Sequence, residues 1–395
     1  MRRVNLRSST RYIFIPLIST AAVFIAFNLL MWGWYTISDT FFEPFGNRVE
    51  KYYGMKVDKY YPDFTKNEIN QLITETYQQF QHEPFVEFRE SARSGTYVNV
   101  DENGFRRSAA QSKWPPDSHD PVIFVFGGSS TFGYGVRDED TVVSAISNTL
   151  RQDPRYSKAQ IYNFGRGFYW STQENILFTT LVLSGLKPSM AIFIDGLNEF
   201  YYSRQLPFFA DAMKSALERE MDLRGRTLRG QFLSLWDDVG KLFSSLPMVR
   251  LAGDIKSRQQ QFPQQFPRLL PYDPQAVQAS IANYRMNKAI IEKTAELNQI
   301  NVLFAWQPIP SFEYPSHLHR EFEARWGYGA HSQSFYGYQQ MQKLHKSNQD
   351  ANFVWCADVH KDATAPFYVD LVHYNRRGAE LLADCIVDAI RNRDK

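Results

Sequence analysis

Val122-Ile123-Phe124-Val125-Phe126-Gly127-Gly128-Ser129-Ser130-Thr131-Phe132-Gly133 is the stretch on which the fold turns. A short apolar run closed by glycine reads as a strand buried on both faces, as parallel strands are. The glycines and serines directly behind it read as a strand-to-helix turn. Downstream the pattern repeats. Thr141 to Leu150 has helical spacing, Ile161 to Gly165 is strand-like, and Thr172 to Ser184 is helical with Gly185 in the C′ position. Met190 to Asp195 is a strand, 275–299 a long helix, and Asn301 to Trp306 and Phe353 to Cys356 are strands, before a closing helix from Asn375 to Arg391. This alternation predicts an α/β fold, a three-layer sandwich around a parallel sheet. Ligands of such sheets gather beyond the carboxyl ends of the strands, so the residues behind each strand carry the most weight.

Upstream, Arg2, Arg3, Arg7 and Arg11 precede an uncharged stretch from Tyr12 to Ser38, and the first acidic residue is Asp39. About 20 apolar residues span a bilayer. Trp32, Trp34 and Tyr35 sit where an interfacial belt would, and no small-residue cleavage site follows. The expectation is a transmembrane signal anchor over 12–38, with the N-terminal tail (1–11) in the cytoplasm and the rest of the chain periplasmic or extracellular. Residues 39–117 are expected to form a membrane-proximal stem, with a helix over 66–81 and a Pro/Asp boundary at Lys113-Trp114-Pro115-Pro116-Asp117. The α/β domain is then 118–395. Within it, 201–274 is an insertion with helix-like segments over 208–223 and 232–246 and a linker-like run at 259–267. Such an insertion suits either a lid or wall of a substrate cleft, to whose rim Gln307-Pro308-Ile309-Pro310 also points, or a packing elaboration away from the site.

The chain has 44 Lys+Arg against 42 Asp+Glu, which excludes the basic stripe of a nucleic-acid binder. Its 44% hydrophobic content excludes wholesale disorder. Two cysteines, Cys356 and Cys385, are too few for a disulfide scaffold or a cysteine zinc site. They fall on a strand and the last helix, where either a bridge or two buried thiols is expected.

A serine at a strand-to-helix turn faces N–H groups able to stabilise an oxyanion. The turn lacks the lysine and glycine spacing of nucleotide-binding loops. Asp370 and His373, three apart at a helix entrance, can meet in one turn, with Asp370 holding Nδ1–H and Nε2 left free as a base. Four blocks then appear in order. Gly127 to Gly133 resembles the G-D-S-x-T-x-G nucleophile block of the SGNH (GDSL-like) hydrolase superfamily. Tyr162-Asn163-Phe164-Gly165-Arg166-Gly167, continuing to Gln173, resembles its second block, Asp195-Gly196-Leu197-Asn198-Glu199 its G-x-N-[DE] block, and Asp370 to His373, with Gly378 following, its D-x-x-H block. The resemblance covers about 122–390 and leaves the anchor and stem outside.

The resemblance implies an SGNH/flavodoxin-like sandwich with Ser129 as nucleophile, His373 as base and Asp370 as its orienter. The oxyanion hole would be the Ser129 N–H, a glycine N–H from Gly167 or Gly165, and the Asn198 amide. It implies a serine esterase that releases acyl groups, O-acetyl above all, from carbohydrate or envelope esters through an acyl-serine, with no metal or organic cofactor. The same triad suits an O-acyltransferase of a cell-surface polysaccharide, and a catalytically silent envelope scaffold is the reading from another class. Two departures stand out. Gly128 replaces the block's aspartate, and the usual offset from Asn163 falls on Phe168. Ser130 is the rival nucleophile. Outside the blocks, Asp358, His360 and Asp362 read as a strand-end loop, and His317, His319 and His331 as surface residues of a polar loop, one of which can line a substrate groove. Arg166 is expected to be an ion-pair partner or a substrate contact.

Overall fold

The computed structural model describes residues 6–37, 49, 57–108, 111–117, 119–201, 246–252, 269–348 and 350–393. The expected helix over 208–223, the one over 232–246 except for its last residue, and the run at 259–267 lie outside them. Two compact units form: residues 1–47 with 212–263, and residues 48–211 with 264–395.

In the smaller unit, Leu6–Ile37 is one helix. Its segment Phe14–Ile37 has mean hydropathy 2.1 and is long and apolar enough to cross a membrane.

The larger unit begins with a helix, Lys66–Thr76, because Thr65 and Glu68 close a capping box: the Thr65 hydroxyl accepts from Glu68 N–H and the Glu68 carboxylate from Thr65 N–H. The helix ends five residues before the sequence suggested, since Phe80–Glu83 (β1) pairs antiparallel with Glu87–Glu90 (β2). Arg93–Ser94 (β3) and Asn99–Val100 (β4) form a second ribbon. Ile69, Leu72, Ile73, Val98 and Val100 share one core with Phe132, Tyr134, Val136 and Val369. The part of the expected stem from residue 57 onward is thereby packed against residues that surround the central sheet.

The central sheet holds Val122–Gly127 (β5), Gln160–Gly165 (β6), Met190–Asp195 (β7), Asn301–Trp306 (β8) and Phe353–Trp355 (β9). Its order is β6-β5-β7-β8-β9, and every pairing is parallel. Outside the insertion, each expected strand and helix of this domain is present to within two residues. The alternation inside β5 divides the two layers. Ile123 and Val125 pack with helices Val142–Leu150 and Arg376–Arg393, while Phe124 and Phe126 pack with helices Ser171–Leu183 and Pro274–Asn298. On the second face Phe164, Phe126, Phe193 and Phe304 stand in register, with ring centroids 5.7, 4.9 and 5.1 Å apart along the row. Each such buried ring contributes about 1.5–3 kcal/mol. Cys356 and Cys385 form a disulfide that ties the end of β9 to the last helix.

In this order the chain leaves β5 for one edge, returns, and continues from β7 towards the other. The crevice beyond the carboxyl ends of β5 and β7 is therefore the topological switch point, where ligands of doubly wound sheets bind.

Candidate active site

Ser129 opens a four-residue helix, Ser129–Phe132, directly beyond β5, with Gly128 as its N-cap and Gly133 as a left-handed C-cap. The helix needs outside help to hold its carbonyl end. Arg106, fully buried, supplies it: its guanidinium donates to the carbonyls of Phe132 (3.1 Å), Gly133 and Val136 (2.7 Å), and pairs with Asp138 (3.0 Å). A cation on the last carbonyls of a helix also suits its dipole. Gly165, at the end of β6, touches the same helix so closely that a Cβ there would collide with the Phe132 amide.

The base arrives from the far end of the chain. A turn over 367–375 is closed by Val369 N–H to His373 O (2.9 Å) and Asn375 N–H to Phe367 O (2.9 Å). Asp370 Oδ1 accepts from Val372 N–H (2.9 Å) and His373 N–H (2.8 Å), while Oδ2 lies 2.6 Å from His373 Nδ1. Burial would raise the Asp370 carboxyl, but the facing imidazole and two backbone amides bring it below its ordinary value, so it stays ionised. His373 Nε2 then lies 2.8 Å from Ser129 Oγ. Tyr134 stacks on the imidazole, with centroids 5.4 Å apart, and gives its hydroxyl to Glu90 (2.9 Å). The bond made by His373 is to Ser129, and Ser130 is buried beside it.

Asn198, at the start of helix Leu197–Tyr201 beyond β7, donates through Nδ2 to Tyr169 O (2.8 Å). The same nitrogen lies 2.6 Å from the place a Cβ on Gly128 would take. This accounts for the missing aspartate: a side chain at 128 would meet the Asn198 amide and displace it from its place beside Ser129, whereas glycine leaves it there. Gly128→Ala should lower kcat by about 100-fold, the effect of losing one oxyanion donor. The same change in an Asn198→Ala background should add nothing, as steady-state ester hydrolysis would read.

The two glycine amides expected as donors are committed elsewhere. Gly167 N–H donates to Glu90 Oε1 (2.7 Å) and Gly165 N–H to Asn163 Oδ1 (2.9 Å). Both serve as braces of the turn beyond β6 instead, and Phe168 within that turn adopts a left-handed conformation, with φ 66°.

Behind Asn198 lie three buried carboxyls, Glu174, Asp195 and Glu199. Burial first, and then their neighbours' charge, pushes Glu174 up, while burial takes Asp195 to about 7 and, with Asp195 beside it, Glu199 to about 8. Glu199 accepts from Ser171 N–H (2.7 Å) and Ser171 Oγ–H (2.9 Å), which ties the Asn198 turn to helix Ser171–Leu183.

Of the remaining expectations, Arg166 is buried and paired with Glu83 (2.8 Å), a structural contact. His360 is buried between Phe312 O (2.9 Å) and the Tyr368 hydroxyl (2.8 Å), and burial lowers it to about 4. His319 is buried instead of exposed and lies 3.0 Å from Leu371 O on the turn that carries His373. His331 is half-buried within the field of His373 and Asp370. Burial chiefly lowers it to about 4, and its Nδ1 has no hydrogen-bond partner. His317 and Asp362 are exposed, and Asp358 is half-buried. Among the described residues no group of three or more His, Cys, Asp or Glu is placed to hold a metal ion.

No protein-family profile and no curated protein matches the chain. Among solved structures it is similar to an acetylxylan esterase from Geobacillus stearothermophilus in a catalytic-mutant form, at 11% identity and TM-score 0.37 over 68% of this chain and 94% of that one. It is also similar to a carbohydrate acetylesterase from Sinorhizobium meliloti, at 11% identity and TM-score 0.35 over 69% of this chain and 100% of that one. A third is a member of the lipolytic G-D-S-L family from Veillonella parvula, at 10% identity and TM-score 0.36 over 68% and 96%.

Proposed function

We propose that the chain is a serine esterase of the SGNH type. In this reading it is tethered by its N-terminal helix, works outside the cytoplasm, and removes small acyl groups such as acetyl from carbohydrate esters. The observation that carries the reading is the unbroken chain of contacts from Asp370 through His373 to Ser129, at 2.6 and 2.8 Å, on the switch-point rim of the sheet.

Ser129 Oγ attacks the ester carbonyl carbon while its proton passes to His373 Nε2. The carbonyl oxygen, now anionic, is held by the Ser129 N–H and the Asn198 amide, each worth about 3–4 kcal/mol of barrier. Collapse breaks the ester C–O bond, the proton on Nε2 leaves with the sugar hydroxyl, and the acyl group remains on Ser129. Water then repeats the steps, giving its proton to Nε2 and releasing the carboxylic acid. Asp370 keeps Nδ1 protonated throughout.

A cavity of about 350 Å³, lined by Tyr60, Tyr61, Phe64, Arg137, Val369, Asn375, Arg376 and Glu380 among others, adjoins the turn that carries His373, but none of Ser129, Asn198, Asp370 and His373 lines it. Support for the compartment comes from the Cys356–Cys385 disulfide, which persists in oxidising surroundings, and from the apolar helix behind its arginines.

The test is labelling of the purified chain with a fluorophosphonate probe. Wild type and Ser130→Ala should label and Ser129→Ala should not. A wild-type protein that stays unlabelled would end the esterase reading.

A further inference from the structure

In the apolar helix, the Asn28 side chain does not finish its hydrogen bonding within the helix. Ser19 and Thr36 donate to carbonyls four residues back, at 2.8 Å each. Asn28 does the same with Nδ2, to Phe24 O (3.0 Å), but its carbonyl oxygen cannot be satisfied that way. Within Phe14–Ile37 it lies about 4 Å from the middle of the span, where no water is at hand. Asn28 is nevertheless buried, and its Oδ1 accepts from Met248 N–H at 3.2 Å.

Met248 belongs to a short helical segment, Leu246-Pro247-Met248-Val249-Arg250-Leu251-Ala252. The first N–H groups of any helix lack intrahelical partners. Here each is accounted for without water. Pro247 has none to satisfy, Met248 N–H goes to Asn28, and the amides of Val249 (2.9 Å) and Arg250 (3.2 Å) both reach Leu246 O. The segment's single charge is Arg250, whose guanidinium lies 4.0 Å from the Tyr35 ring centroid, at the aromatic end of the span. An arginine stretched towards an interfacial ring keeps its charge out of hydrocarbon. Met248 and Val249 remain 38% and 41% exposed.

We propose that residues 246–252 are a membrane-embedded element seated on the anchor helix at Asn28, with Met248 and Val249 facing lipid acyl chains. This rests on the anchor reading above, and it gives this part of the insertion a lipid-facing role instead of that of a lid. A helix start with every donor satisfied by protein, an otherwise apolar face and one cation at the aromatic girdle together match the interior of a bilayer.

The test uses the full chain in phosphatidylcholine vesicles, with a bimane label on Val249→Cys or on the control Val23→Cys, and lipids carrying nitroxides along the acyl chain. Both labels should be quenched to a comparable extent, and iodide in the water should quench neither. Quenching at position 23 with none at 249 would overturn the proposal and leave the anchor standing. Absence of quenching at both would overturn the anchor reading itself, and the proposal with it. Adding Asn28→Leu should abolish the quenching at 249 while sparing that at 23. Unchanged quenching would show that Asn28 does not hold the segment.

Discussion

Ester turnover is expected to fall by about 10⁴–10⁶-fold in Ser129→Ala and equally in His373→Ala, with no further loss in the double variant. The reason is the single bond at 2.8 Å between Ser129 Oγ and His373 Nε2. A serine hydroxyl without a base is a poor nucleophile, and a base without the hydroxyl has nothing to activate, so removing either ends the same step. The helix carrying Ser129 is fixed by Arg106 and the turn carrying His373 by Asp370, so both variants should melt within a few degrees of wild type. Steady-state kinetics on an activated acetyl ester, with a melting curve beside them, would read this. Losses that multiply in the double variant, or a loss of less than tenfold in either single one, would mean that the two side chains do not work as a unit.

The second large effect lies at Arg106. Arg106→Leu leaves the carbonyls of Phe132, Gly133 and Val136 and the Asp138 carboxylate without their shared donor. Breaking a buried charged network from one side costs about 3–5 kcal/mol, a large part of the stability of a typical domain. Arg106→Lys keeps the charge but not the planar fork, and should recover only part of that loss. Urea denaturation would measure both. A cost below about 1 kcal/mol for the leucine variant would show that the carbonyls find other donors.

The strands and their flanking helices were legible in the sequence because β5 to β8 are short apolar runs and their helices have clear caps, such as Thr141 and Asp273. The Asp370–His373 pair was legible because the two side chains meet within one turn. Arg106, Glu90 and Tyr134 were not, for a physical reason. Arg106 binds mainly carbonyls, which every residue has, so no residue pattern announces it. Glu90 reaches Gly167 across 77 positions from a stretch that reads as stem. The same bond explains why spacing misassigned the glycine donors: sequence shows that an N–H exists, but not which distant carboxylate has claimed it. His319 and His331 read as surface because the loop around them is polar, whereas rings distant in sequence, Tyr368 on His319 and Tyr201 on His331, pack against them.

The bridge between Cys356 and Cys385 encloses a loop that contains Asp370 and His373 but not Ser129. Opening it with a thiol reagent would lengthen the tether on Asp370 and His373 and leave Ser129 fixed behind β5, an inner strand of the sheet. Material made in a reducing cytosol and material exported through an oxidising one would then share a sequence and a nucleophile. They would differ in how often the base is at its station.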